Sequence, residues 1–304
     1  MSEIQVTCIG TKASELLGRQ NFSAQVLAVV SNAAYLSVYP HPWLWQSPPQ
    51  SPLPGKGEGE VIWLAQNDVK HQRAVRCSFD ASALHVGMRF DKGMLSDWAN
   101  ASVWQPSTIA REHVAARRIV ATRVRELIDS FDSPRGFAQI IPLIRSHAAI
   151  APTFDPFIDA AKNPVIEVAR AWRSRDMSHA LQTSRALIGL GQGLTPSGDD
   201  FIGGMLFATY HLKIAFPGII EWKQKSIDDL LAWARDKTNA ISYTILRDHA
   251  SGQSVDALHD LMNALLIGKG SEELITLAQR LINVGNTSGW DMLAGGMTCL
   301  LAIE

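Results

Sequence analysis

The sequence predicts an α+β fold in which a β-rich N-terminal domain, 1–105, precedes a mostly α-helical C-terminal domain, 106–304. Three observations predict this arrangement. The first part contains short Val, Ile, Tyr and Trp runs bounded by Gly, Asn, Asp and Pro, as strands are. After Pro106, apolar residues recur at the three-and-four spacing of amphipathic helices. With 304 residues, the chain also exceeds the usual size of a single core.

The N-terminal domain is expected to form a small antiparallel barrel or sandwich. Strands are predicted at 5–9, 24–39, 61–66, 74–79, 83–90 and 102–105. The segment 40–55 contains six prolines. Because proline lacks an N–H group and has a fixed φ, this segment is predicted to be an extended surface loop. Trp43 and Trp45 are expected to anchor the loop on its own domain; the alternative is that they cover a site or a subunit contact.

The C-terminal domain is expected to be a compact bundle of about ten helices, without strand–helix alternation. Helices are predicted at 107–131, 137–148, 165–175, 179–188, 201–212, 219–235, 237–249, 255–267, 272–283 and 289–303. The Ser-Pro-Arg-Gly sequence at 133–136 separates the first two. Prolines divide the region before the third helix, at Pro152, Pro156 and Pro164. Glycines are placed at expected helix ends, at Gly252, Gly268, Gly270 and Gly285.

Composition and charge exclude several classes of function. Lys and Arg number 28 and Asp and Glu 29, with both signs spread along the chain, whereas a nucleic-acid-binding surface needs a basic stripe. The most apolar window, 201–220, is interrupted by polar residues and a proline, so we expect a buried helix and not a membrane span. The three cysteines lie far apart without metal-ligand spacing, and no signal peptide is recognisable. A cytoplasmic location with reduced thiols is therefore expected.

A glycine-rich loop leads directly into this apolar window. Residues 189–200 read GLGQGLTPSGDD. Glycine permits positive φ and close approach of the backbone, while Thr, Pro and Ser are residues that start helices. Because a helix N-terminus carries unpaired N–H groups and a positive dipole end, the loop is suited to holding a phosphate or a carboxylate.

A partial copy of the motif lies near the C-terminus, where residues 286–296 read NTSGWDMLAGG. Both copies share Ser-Gly-x-Asp, then two apolar residues, then two small ones. A glycine inside a helix costs about 1 kcal/mol relative to alanine. Gly203-Gly204 and Gly295-Gly296 are therefore expected to mark a close crossing of two helices, whose N-terminal loops would then frame one pocket.

Two interpretations of the repeated motif remain open. In the structural one, Ser197 with Asp200 and Ser288 with Asp291 form capping boxes, in which the Ser oxygen accepts a backbone N–H and the acid reaches back. In the functional one, the helix N-termini keep the carboxylates ionised at neutral pH. They would then be poor general acids, and better suited to holding a cation such as Mg²⁺ or to accepting hydrogen bonds from an amide or amine.

In the functional interpretation, Asp199, Asp200 and Asp291 are the candidate catalytic carboxylates. Ligand-binding candidates are the N–H groups, hydroxyls and amides of Gly191, Gly193, Thr195, Ser197, Gly198, Asn239, Ser242, Asn286, Thr287, Ser288 and Gly289. A plain polar helix start explains Asn239 and Ser242 equally well. Mg²⁺ is a candidate cofactor because hard cations bind carboxylates, although no ligand spacing is visible.

Other catalytic signatures are missing from the sequence. The loop is not a Walker motif, since no Lys follows its last Gly, and not a dinucleotide fingerprint, since no strand precedes it. No Gly-x-Ser-x-Gly elbow is present. The nine histidines are scattered without pairing. Only His113 and His249 are retained as remote candidates, because their helices are expected to flank the pocket.

Three segments, 189–201, 239–242 and 286–295, together resemble the AllH-like family, long catalogued as a domain of unknown function and associated with a subunit of bacterial oxamate carbamoyltransferase. The resemblance covers the last third to half of the chain. It implies the transfer of a carbamoyl group between oxalurate and phosphate, giving oxamate and carbamoyl phosphate, in anaerobic allantoin breakdown. It also implies a multi-subunit enzyme, so the expected partners are a small anionic substrate and other enzyme subunits or further copies of the chain, with no nucleic acid and no membrane.

Two alternatives to this enzyme stay open. One is a non-catalytic subunit that binds a small anion or acts as a scaffold, in which the glycine loops serve only helix packing. The other is an ATP-using ligase or kinase partner, which Mg²⁺-dependent nucleotide binding would identify. Since no activated nucleophile is visible, catalysis in the carbamoyl-transferring enzyme would depend mainly on positioning and electrostatic stabilisation.

Overall fold

The computed structural model describes residues 4–20, 22–39, 60–66, 68–146, 155–221 and 223–303. The chain forms two compact units, Met1–Pro106 and Ser107–Glu304, and each has its own hydrophobic core. The first unit is built on a curled sheet and the second is mostly helical, so the predicted α+β fold is confirmed. The predicted loop at 40–55, with Trp43 and Trp45, lies outside the described residues.

The sheet of the first unit is a half-barrel of eight described strands. They are β1 (Ile4–Gly10), β2 (Ser23–Val30), β3 (Ala33–Tyr39), β4 (Glu60–Ala65), β5 (Ala74–Cys77), β6 (Arg89–Phe90), β7 (Leu95–Ser96) and β8 (Ser102–Trp104). Their order is β6-β2-β3-β4-β5-β1-β7, and β8 also pairs with β1. Most pairs are antiparallel, while β4–β5, β1–β7 and β1–β8 are parallel.

The structure of this unit differs from the sequence prediction in three details. The predicted strand 24–39 is a hairpin of β2 and β3, because the chain turns at 31–32. The predicted strand 83–90 contributes only β6, since a short 3₁₀ helix and Gly87, at φ 87°, interrupt it. Helix α1 (Thr11–Leu17) was not predicted; its buried residues belong to the core of the sheet.

The second unit contains ten α-helices within the described ranges, in agreement with the predicted bundle. They are α2 (Arg117–Asp129), α3 (Ile141–Ser146), α4 (Pro156–Arg173), α5 (Met177–Ser184), α6 (Ser197–Ala215), α7 (Gln224–Lys237), α8 (Ala240–Ala250), α9 (Asp256–Leu266), α10 (Ser271–Ile282) and α11 (Ser288–Leu300). Helices α6 and α11 are buried along most of their length. No helix in the described ranges is both long and apolar enough to cross a membrane.

The crossing of α6 and α11 was predicted from their glycines and is confirmed. A Cβ atom on Gly204 would overlap the Met292 carbonyl group and lie 2.7 Å from its carbon. A Cβ atom on Gly295 would overlap the Phe201 carbonyl group and lie 2.8 Å from its carbon. Because backbone blocks both positions, only glycine allows the two helices to approach this closely.

Three helix predictions in this unit were wrong. Residues 107–116 precede α2 as a mainly extended segment, whose Ala115 N–H donates to the Leu266 carbonyl at the end of α9, 2.8 Å away. Pro164 lies inside α4, where the apolar face formed by Ile158, Ala161, Val165, Val168 and Trp172 runs on past it. Gly270 is the N-cap of α10 and not a helix end.

Candidate functional site

The two Ser-Gly-x-Asp motifs meet at the N-terminal ends of α6 and α11. The Thr195 and Ser288 hydroxyl oxygens are 3.0 Å apart, and those of Ser197 and Thr287 are 3.5 Å apart. These four half-buried side chains are called the hydroxyl quartet below. Each pair joins residues at least 90 positions apart in the sequence. The expectation that the two helix starts lie together is therefore confirmed.

Two buried carboxyl groups contact the hydroxyl quartet. Asp200 and Asp291 are only 4% and 0% exposed. The hydroxyls of Ser288 and Thr195 lower the pKa of Asp200, and those of Ser197 and Thr287 lower the pKa of Asp291, as neighbouring hydroxyl donors do for a carboxyl group. Each helix start thus supplies a serine to the carboxyl group of the other. Within the described part of the chain, Oδ2 of Asp200 and Oδ2 of Asp291 have no hydrogen-bond partner.

This exchange contradicts the capping-box interpretation. Ser197 and Ser288 are the first residues of their helices, and the N-cap positions belong to Pro196 and Thr287. Neither N-cap makes a side-chain capping hydrogen bond. The serine hydroxyls bond to the opposite helix, so local helix punctuation does not explain the repeated motif.

A third segment that the sequence did not indicate completes the site. The Phe137 N–H donates to Oδ1 of Asp291 at 2.6 Å. Gly136 has φ 52°, and a Cβ atom there would overlap the same carboxyl group, 3.0 Å from its carbon. The sequence showed only a helix break at 133–136. A glycine in that break is a general turn signal and does not identify a partner so far along the chain.

The glycine loop owes its shape to three residues with positive φ. Gly189, Gly191 and Gly193 have φ of 75°, 127° and 88°, which explains their spacing of two. A Cβ atom on Gly189 or Gly191 would also be 2.5 Å from the Lys237 carbonyl oxygen or the Ser197 nitrogen. Gly193 is exposed and a Cβ atom there would meet nothing within 4 Å, so only its conformation requires glycine.

Several N–H groups were expected to hold an anion. In the structure they donate hydrogen bonds to other groups of the protein. The Gly198 N–H donates to the Leu190 carbonyl at 2.8 Å, and the Gly289 N–H donates to the Val284 carbonyl at 3.0 Å. Both glycines also face backbone so closely that a Cβ atom would overlap a carbonyl group. The expected role of Gly198 and Gly289 as ligand-binding residues is therefore not supported, and both serve packing of the helix starts.

Asp199 connects the glycine loop to the start of α8. Its carboxyl group accepts hydrogen bonds from the Gly189 N–H at 2.7 Å, from the Ser242 hydroxyl at 2.7 Å and from the Thr238 hydroxyl. Asn239 caps α8 through the N–H groups of residues 241 and 242, and donates to the Leu194 carbonyl at 2.9 Å. Asn239 and Ser242 thus start a helix and also hold the glycine loop, while their expected role in ligand binding stays a prediction.

Asn286 lies in the turn before α11. Its side chain is exposed, and this turn leads directly into Thr287 and the hydroxyl quartet. The structure therefore places Asn286 at the solvent-facing edge of the site, unlike the buried carboxyl groups.

Burial raises the pKa of all three carboxyl groups, so the expected lowering at the helix N-termini was wrong in direction. The pKa of Asp199 is raised by desolvation, which its three donors partly oppose. Desolvation raises the pKa of Asp200 well above its ordinary value, and the charges of Asp291 and Asp199 raise it further. Desolvation also raises the pKa of Asp291 to about 6. Asp200 and Asp291 can therefore hold a proton near neutral pH.

Three histidines that are separate in the sequence, His211, His249 and His259, lie close together in the helical unit, and each makes a hydrogen bond there, which is the ordinary role of a buried histidine. The rings of His211 and His259 have centroids 5.7 Å apart. His249 Nε2 is 2.9 Å from the Ser254 hydroxyl, and the Ser254 N–H donates to His259 at 3.1 Å. The remote candidate His113 is exposed in a 3₁₀ helix before α2.

No metal centre is evident in the described ranges. No group of three or more His, Cys, Asp or Glu side chains there is arranged to hold a metal ion. The cysteines Cys8, Cys77 and Cys299 are free thiols.

The fold and the site define a class of protein with a curled β-sheet unit and a helical unit. In the helical unit, two helices cross, and hydroxyl groups at the start of each lie next to a carboxyl group of the other. Residues 187–300 match the model of the AllH family, described as oxamate carbamoyltransferase subunit AllH. This range contains both Ser-Gly-x-Asp motifs and the start of α8, so the resemblance found in the sequence is confirmed. Neither the curated proteins nor the solved structures include a significant match to the chain.

Proposed function

We propose that this protein is a cytoplasmic subunit of a carbamoyltransferase that acts on oxalurate, phosphate, oxamate and carbamoyl phosphate in anaerobic allantoin catabolism. The family match supports a subunit of oxamate carbamoyltransferase. The structural observation that supports a ligand site is the pair Asp200 and Asp291, each with one buried oxygen lacking a partner in the described chain. Free thiols fit a reducing compartment.

The proposed reaction is balanced without a further reactant. A phosphate oxygen bonds to the carbamoyl carbon of oxalurate, and the bond from that carbon to the oxamate nitrogen breaks. The proton lost from phosphate is transferred to the leaving nitrogen, which becomes the amide of oxamate. A site for this reaction must bind amide N–H donors and an anion, and must supply or relay one proton.

The hydroxyl quartet and its carboxyl pair fit these requirements. A hydroxyl that donates to an ionised carboxylate presents its oxygen lone pairs outward, where a ligand amide can donate to them. Since the pKa of Asp291 is about 6, this group changes protonation close to neutral pH. Asp200 and Asp291 would orient the hydroxyls and relay the proton through them. The hydroxyls Thr195, Ser197, Thr287 and Ser288, with the exposed Gly193 and Asn286, would contact the ligand.

Asp199, Asn239 and Ser242 would act as positioning residues. Their hydrogen bonds fix both ends of the glycine loop, at Gly189 and Leu194. Gly191 would contribute through the tight turn that brings the loop against Ser197. Mg²⁺ would participate only with substrate phosphate among its ligands, as is usual for this cation.

Titration calorimetry with oxamate and carbamoyl phosphate tests the proposal, followed by an assay of oxamate formation from oxalurate and phosphate with the co-purified subunits. Asp200→Asn keeps the size of the side chain and removes its titrating group, so we expect activity to fall by about 100-fold. The control is Asp228→Asn, which changes an exposed aspartate on α7 and should leave activity unaltered.

A non-catalytic scaffold or anion-binding subunit is the second candidate. The observation favouring it is that the N–H groups of Gly198 and Gly289 bond within the fold, as does the Asp199 carboxylate. Under this alternative, neither ligand would bind saturably, and Asp200→Asn would change only the free energy of unfolding. Nucleotide binding that requires Mg²⁺ would instead support the ATP-using partner.

A further inference from the structure

We propose that Arg135 binds the anionic group of the substrate, phosphate or carboxylate, next to the hydroxyl quartet. This inference rests on the proposed carbamoyl transfer and assigns one residue that neither repeated motif contains. Each ligand in that reaction carries at least one negative charge. An arginine binds either group through two parallel charge-assisted hydrogen bonds.

The site needs a cation from outside the two motifs. Asp200 and Asp291 are buried acids, and the hydroxyl quartet is neutral. Neither acid supplies a positive charge for an incoming anion, and the N–H groups of Gly198 and Gly289 are already bonded within the fold. Lys237, whose carbonyl contacts Gly189, has its ammonium group 4.8 Å from the centroid of the Trp233 ring, on which it packs.

The backbone places Arg135 beside Asp291. The next two residues, Gly136 and Phe137, contact the Asp291 carboxyl group directly. Consecutive Cα atoms are only about 3.8 Å apart. Arg135 is extended, with φ −117° and ψ 169°, while Gly136 has φ 52°. In an extended chain, successive side chains point to opposite sides. The positive φ of Gly136 removes this alternation, so the Cβ atom of Arg135 points to a similar side as a Cβ atom built on Gly136 would. A Cβ atom on Gly136 would point at the Asp291 carboxyl group.

The guanidinium group of Arg135 is available for a ligand. Its side chain is exposed and makes no hydrogen bond or ion pair with the described residues. Two other exposed arginines of the unit are engaged, Arg145 with Asp129 and Arg170 with Glu167. Meanwhile the hydrogen bond of Phe137 to Asp291 fixes the position of the backbone that carries Arg135. A fixed backbone with an unengaged cation is the arrangement that binding of an anion requires.

Titration calorimetry of carbamoyl phosphate and oxamate into the chain as isolated, and with its co-purified subunits, tests the inference. Arg135→Gln removes the charge and should weaken binding by about 10- to 100-fold. Arg135→Lys keeps a charge without the bidentate geometry and should recover only part of the loss. The matched control is Arg118→Gln, since Arg118 is also exposed and without an ion pair among the described residues.

Two further measurements separate ligand binding from a structural role. In the activity assay, Arg135→Gln should raise KM for phosphate more than it lowers kcat, while the melting temperature stays unchanged. Equal affinities of wild type and Arg135→Gln would overturn this inference and leave the proposed function standing. A wild-type protein that binds neither ligand would overturn both.

Discussion

Adding one methyl group at the crossing of α6 and α11 should have opposite effects at two neighbouring glycines. At Gly295, the new Cβ atom would overlap the Phe201 carbonyl group and lie 2.9 Å from the Met205 nitrogen. At Gly296, the nearest atoms would be 3.8 Å and 3.9 Å away, which is ordinary van der Waals contact. Both substitutions replace glycine by alanine in the same helix, so each is the control for the other.

The magnitudes follow from two opposing terms. Replacing glycine by alanine within a helix gains about 1 kcal/mol. Overpacking typically costs about 1–3 kcal/mol, and occasionally more. At Gly295 the obstacle is backbone, which no side-chain rotation relieves, so we expect Gly295→Ala to lower the free energy of unfolding by about 2 kcal/mol. Gly296→Ala meets no obstacle and should raise it by up to about 1 kcal/mol.

Urea unfolding followed by far-ultraviolet circular dichroism, to which the helical unit contributes most, measures both values. Gly295→Ala should also weaken ligand binding, because separating the helices moves Ser288 away from Thr195. If the two variants had equal midpoints, the helices would not approach as closely as described, and the argument that glycine permits the crossing would be refuted.

Two further predictions concern the carboxyl pair and the hydroxyl quartet. The pKa of Asp291 is raised from 3.8 to about 6, so the folded state binds more protons than the unfolded state between these values, and stability is lost as the pH rises through this window. Asp291→Asn removes this contribution and should gain up to about 3 kcal/mol relative to wild type between pH 4 and pH 7; a difference that does not vary with pH would contradict it. Ser288→Ala should weaken ligand binding by about tenfold, as measured by calorimetry. Thr298→Val is its control, because the Thr298 hydroxyl donates to the Ala294 carbonyl of its own helix; equal effects would exclude a specific role for the quartet.

The sequence was sufficient to predict the helix crossing and the meeting of the two motifs. Glycine pairs within apolar helices are unfavourable unless two backbones approach, so Gly203-Gly204 and Gly295-Gly296 indicated a crossing. Because each Ser-Gly-x-Asp motif lies at the start of one of these helices, the crossing also predicted that the two helix starts lie close together. Both features depend on local residue chemistry that recurs at a recognisable spacing.

Properties that depend on distant contacts could not be predicted. The pKa shift of Asp200 follows from complete burial among helices, whereas the sequence showed only its position at a helix start. Ser197 fits a capping box in sequence, but its hydroxyl lies 3.5 Å from the Thr287 hydroxyl at the start of α11. The contact from Phe137 to Asp291 joins residues 154 positions apart, and no local pattern marks it.

The reciprocal bonding between the two helix starts has a consequence for biosynthesis. Ser197 and Thr287 are separated by 90 positions, so Asp200 and its neighbours have no partners from α11 until that helix has left the ribosome. Until then, the Asp200 carboxyl group at the start of α6 must stay hydrated, although it is buried in the complete fold. Nascent chains that stop short of α11 should therefore show an open, protease-sensitive α6 even when the preceding helices have already folded.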